Sequence, residues 1–224
     1  MSDIVTIKQQ ILKHPYFQKT KHIKETSPAH PEDSVYVHLI QTADFIESRV
    51  DGRFIQNTDA RALFQKIMIK KIAGMTVADL AVIIGLVHDI GKIMDYQEEG
   101  NIFSSNQPLP NTDYVYNPNH GYYGSLLVKE LLQDIGLPKE IVEYSANIVR
   151  LHLMPFDYYK LSTDYSLTQT IDDLKPRMEG LHVEVILNAY GDAAYNKPHK
   201  ALFDLIEKMF EERHFFSTRK YFVK

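Results

Sequence analysis

Apolar residues recur at spacings of three and four along most of the chain, which is the spacing that lines one face of a helix. Val35, Leu39, Ala43, Ile46 and Val50 form one such stripe, and Ala60, Leu63, Phe64, Ile67 and Met68 form another. A third helix is expected after Thr76, whose hydroxyl can cap it. Its apolar content (Leu80, Val82, Ile83, Ile84, Leu86, Val87) is too dense for a surface element and predicts burial on most sides, with the end at Gly91. A fourth helix carries Leu126, Leu127, Leu131, Leu132 and Ile135 and stops at Gly136. Pro138 then marks the N1 position of a fifth, which carries Ile141, Val142, Ile148, Val149 and Leu151 and is stopped by Pro155. Later stripes cover 183–195 and 201–212. Alternating runs bounded by turn signals are scarce. The expected class is therefore all-α, a single helical bundle.

Two stretches break the pattern. Residues 94–119 hold Gly100, Pro108, Pro110 and Pro118 among Asn, Ser and Gln, and a loop of that length inside a domain is either functional or disordered. Residues 155–177 read similarly, with part open to helix. Both are rich in aromatics (Tyr114, Tyr116, Phe156, Tyr158, Tyr159, Tyr165) rather than in Gly and Ser, so neither reads as a flexible linker. These rings can stack on a nucleobase or simply pack their own loops. No repeat or low-complexity segment is visible. The expected organisation is an N-terminal helix and arm over 1–30 and one domain over 31–224.

At 224 residues the chain is long enough for a sizeable core, and 44% hydrophobic with 24% charged residues fits a globular protein. With 25 Lys and Arg against 29 Asp and Glu, the net charge is 25 − 29 = −4. That charge argues against a long nucleic acid as partner and for a small ligand. The absence of cysteine excludes disulfides, thiolate zinc sites and thiol catalysis, while ten histidines remain as ligands or proton carriers. The first fifteen residues offer no apolar core for a signal peptide. The longest apolar run, 80–87, is far short of the roughly 20 residues a membrane helix needs. A cytoplasmic protein without membrane association is expected.

The chemistry concentrates where the most apolar helix ends, in His88 and Asp89 followed by Ile90, Gly91 and Lys92. Burying an unpaired imidazole or carboxylate costs several kcal/mol, and a metal ion would remove that cost. Imidazole nitrogen and carboxylate oxygen suit Fe, Mn, Co, Ni or Zn, and Gly91 would let the chain turn away so that both side chains aim at one point. The plain alternative is a histidine bonded to a backbone carbonyl beside an aspartate that ends the helix or pairs with a cation. His38 at the edge of the first stripe, His120 opening the fourth helix, His152 closing the fifth and Asp192 in the run NAYGDAAY add ligand-type residues near the core side of four more helices. Helical bundles build metal sites from inward side chains in this way.

In this order (His38 in SVYVHLIQTADF, His88 and Asp89 in GLVHDIGK, His120 in PNHGYYGSLLVKELL, His152 in IVRLHLMP, Asp192 in NAYGDAAY) the sequence resembles the HD superfamily of metal-dependent phosphohydrolases, whose pattern is H, HD, H, H, D. The segment from His120 to His152 is most similar to the HD domain of bacterial tRNA nucleotidyltransferases. These 224 residues show no nucleotidyltransferase domain, so only the hydrolase half of that resemblance is expected to carry over.

The resemblance implies that His38, His88, Asp89 and Asp192 bind one divalent metal (Fe, Mn, Ni, Co, Zn or Mg). Asp89 would bridge to a second, completed by His120 and His152. The implied reaction is hydrolysis of a phosphoester of a nucleotide or another small phosphorylated substrate by metal-bound hydroxide, with Asp89 and Lys92 catalytic and Lys92 and Arg150 binding substrate. Lys92 and Arg150 also admit a plainer reading as solvated cations near helix C-termini. Two other functions remain open. A few HD-fold members with the same ligands are mixed-valent diiron oxygenases, and a non-catalytic nucleotide-binding regulatory module would use the site without turnover.

Overall fold

The computed structural model describes residues 3–23, 34–94, 96–98, 101–103, 120–161, 166–195 and 199–217. As the hydrophobic pattern predicts, it is a helical bundle. The helices are α1 (Ile4–Lys13), α2 (Pro15–Lys19), α3 (Val35–Glu47), α4 (Thr58–Met68), α5 (Val77–Val87), α6 (His120–Asp134), α7 (Lys139–Leu151), α8 (Met154–Leu161), α9 (Leu167–Arg177), α10 (His182–Ala193) and α11 (Lys200–Glu211). Two antiparallel hairpins of very short strands interrupt them, β1 (Lys71–Ile72) with β2 (Met75–Thr76) and β3 (Tyr96–Glu98) with β4 (Asn101–Phe103). The second hairpin lies in the expected 94–119 loop, most of which falls outside the described residues.

The central element is α5, which packs against α3, α7 and α10. Its residues Leu80 through Val87 are all buried, as their density predicts. Thr76 caps it, accepting from the Asp79 amide at 3.0 Å. On α3, Ile46 fits where Gly85 of α5 and Gly191 of α10 carry no side chain. A Cβ on either glycine would lie 2.8 Å from an Ile46 side-chain carbon, so the two glycines let three helices close together. Ahead of the bundle, Ile7, Ile11 and Phe17 are fully buried in the same core. Tyr16 Oη donates to Glu130 of α6 at 2.6 Å.

Several boundaries differ from the sequence reading. α5 ends at Val87 instead of Gly91, because Asp89 leaves helical geometry (φ −101°, ψ 12°) and Ile90–Ile93 form a 3-10 turn. Pro138 is the N-cap of α7, one position before N1. α7 ends at Leu151, and Pro155 lies in the first turn of α8, where a missing N–H costs nothing. The stretch 155–177 is largely helical: α8 occupies its start, and α9 fills its second half behind a capping box between Ser166 and Gln169.

Candidate metal centre

Five helices deliver six buried ligand-type side chains to one place. His38 lies on the inner face of α3 with Leu39, Thr42 and Ala43. His88 is the C-cap of α5, and Asp89 follows it in the turn. His120 begins α6, His152 is the C-cap of α7, and Asp192 sits in the last turn of α10. All six residues are at most 9% exposed.

Asp89 stands at the middle, with one oxygen facing each way. Its Oδ1 is 3.1 Å from His120 Nε2 and 3.1 Å from His152 Nε2. Its Oδ2 is 3.6 Å from His38 Nε2 and 3.7 Å from His88 Nε2. Asp192 completes the second side, with Oδ1 3.2 Å from His38 Nε2 and Oδ2 3.9 Å from His88 Nε2. Two triads, His38–His88–Asp89 and Asp89–His120–His152, each gather donor atoms within 4.8 Å of one another and could hold a metal ion.

The helix ends fix which ring nitrogen faces inward. His88 Nδ1 is 3.0 Å from the Gly85 carbonyl and His152 Nδ1 is 2.6 Å from the Val149 carbonyl, in each case the residue three positions earlier. A carbonyl oxygen only accepts, so both Nδ1 atoms donate, and a neutral ring then turns its Nε2 lone pair toward the centre. There His88 Nε2 lies 3.2 Å from His38 Nε2, and His152 Nε2 lies 3.2 Å from His120 Nε2. Lone pairs and carboxylates converging on two points form a donor set suited to divalent cations. Both halves of the plain alternative hold as well, since Asp89 leaves the helix and pairs with Lys92, and His88 does bond a backbone carbonyl. A histidine bonded in this way to a carbonyl is held in the orientation that metal-binding histidines use.

The electrostatics separate the groups. Burial pushes His88 down to about 4, against the pull of Asp89 and Asp192, so it is neutral at pH 7. Burial also pulls on His152, but the hydrogen bond and charge of Asp89 outweigh it and raise that histidine above its ordinary value. For Asp89 burial acts upward, yet Lys92, His88 and His120 hold it well below the usual carboxylate range. Asp192 is lowered too, where the His38 hydrogen bond and His88 overcome burial.

Lys92 reaches the centre, with Nζ 2.7 Å from Asp89 Oδ2 and its side chain 18% exposed. Arg150 is placed differently: its guanidinium is on the surface, bonded to Glu179 at 3.0 Å. The role expected for Gly91 also changes. Its φ is not positive, and its missing side chain serves close approach instead, since a Cβ there would overlap the His120 carbonyl and crowd the Gly124 amide. The sequence reading passed over Glu184 and Asn188, buried at positions −8 and −4 from Asp192. A polar residue at every fourth position of an otherwise apolar helix was the available signal.

Comparison with known proteins finds a family model described as HD domain over residues 66–193. That span holds five of the six residues, and His38 precedes it. Comparison with curated proteins returns no match.

Proposed function

The chain belongs to the HD-domain family, and on that premise we propose that it is a metal-dependent phosphohydrolase acting on a nucleotide or another small phosphoester. The observation that carries the reading is the division of Asp89 between two histidine pairs, which suits a carboxylate shared by two cations. His38, His88, Asp89 and Asp192 would hold one divalent cation, and Asp89, His120 and His152 the other. When bound, such a pair supplies Lewis acidity, bringing the pKa of water toward neutrality and offsetting charge on a phosphoryl group.

The remaining work falls to the chain itself. The Gly85 and Val149 carbonyls hold two imidazoles in the tautomer that offers Nε2 inward. Lys92, the most exposed group at the centre, is near enough to exchange Asp89 for a phosphate oxygen as a point charge. The buried walls provided by α3, α5, α7 and α10 keep bulk water from the reacting atoms. The hydrolase domain would extend over 31–224. A net charge of −4 favours a small substrate over a long polyanion.

The test is metal content together with anaerobic phosphate release from nucleoside monophosphates. Wild type loaded with Mn²⁺ should hold about two ions per chain, and His120→Ala about one. Phosphate release should need no oxygen and should vanish in Asp89→Ala. Tightly held iron with oxygen uptake and no phosphate release would replace the reading by the diiron oxygenase. Metal binding without turnover on any phosphoester would favour the regulatory module.

A further inference from the structure

We draw no further inference here: the strongest candidate, the surface cluster of Asp172, Lys175, His214 and Ser217 where the turn Arg213–Phe216 meets α9, carries nothing, because the Ser217 hydroxyl bonds the His214 carbonyl at 2.8 Å and lies 3.5 Å from the His214 ring, so its contacts close that turn and nothing in the structure shows a ligand that it would take.

Discussion

The Lys92 ammonium lies 2.7 Å from Oδ2 of Asp89, the oxygen that faces His38 and His88. It occupies the side of the carboxylate where a cation would bind, so metal and lysine compete for one oxygen. Lys92→Met should leave metal affinity unchanged or raise it, because a neighbouring positive charge is gone. It should lower kcat/KM for phosphoesters by about 10- to 100-fold, the value of a charge-assisted hydrogen bond to phosphate. Metal titration and steady-state kinetics on one preparation check both halves, and a variant that loses metal would refute the competition.

Gly91 supports the start of α6. Its replacement by alanine would drive a methyl group into the His120 carbonyl, and neither partner is a side chain that can swing away. Gly91→Ala should cost roughly 1–3 kcal/mol as a local overpacking. It should also displace His120, so that metal content falls by about one ion per chain while the fold persists. Circular dichroism melts and elemental analysis read the two effects separately.

Phe17 is fully buried, its ring edge-on to Tyr36 at 5.2 Å, and α2 rests against the Ile90–Ile93 turn that carries Lys92. Phe17→Ala should cost about 3–5 kcal/mol and lower the Tm of the whole protein by about 6 °C or more in one transition. A separate arm over 1–30 would instead leave the main transition where it was.

Tyr190 anchors α10 to α11, donating to Glu207 at 2.7 Å. Burial, with that bond, pushes its phenol well above its ordinary value. An unfolded tyrosine ionises near 10, so from there up to its own raised pKa the folded chain keeps a proton that the unfolded one has released. The stability due to Tyr190 is therefore complete below about pH 10 and declines as pH rises above it toward the raised folded value. Alkaline denaturation should be less steep in Tyr190→Phe than in wild type, and equal slopes would contradict the assignment.

Metal should act as a folding ligand. Free metal at about 100 times its Kd adds about 2.7 kcal/mol, so a chelator should lower Tm by about 5–10 °C. Asp89→Ala, which removes the carboxylate common to both triads, should show almost no chelator shift.

Much of this architecture is legible in the sequence itself. The stripes of α3, α4, α6, α10 and α11 follow three-and-four spacing, and the six residues of the centre stand out as ligand types on apolar helices. The turn at His88 and Asp89 was not legible, because apolar residues continue through Ile90 and conceal the end of α5. α8 and α9 were obscured by aromatic and polar residues that dilute their stripes. Pro155 can stop one helix or open another, and only the chain's course decides between them. The carbonyls of Gly85 and Val149 have no side-chain signature, and the need for glycine at 91 depends on a helix that starts at residue 120. The surface pairing of Arg150 has no sequence signal either, because its partner Glu179 comes from a distant turn.

Because its parts are scattered from His38 to Asp192, the centre is also a record of synthesis. As the chain leaves the ribosome, Asp89, His120 and His152 emerge well before the helix that brings Asp192. A nascent or prematurely terminated product that stops before α10 contains the residues of both triads but lacks Asp192. The added hold of Asp192 on the His38 and His88 side would then mark only those molecules translated at least as far as α10, and tight metal retention would double as a check that the bundle is whole.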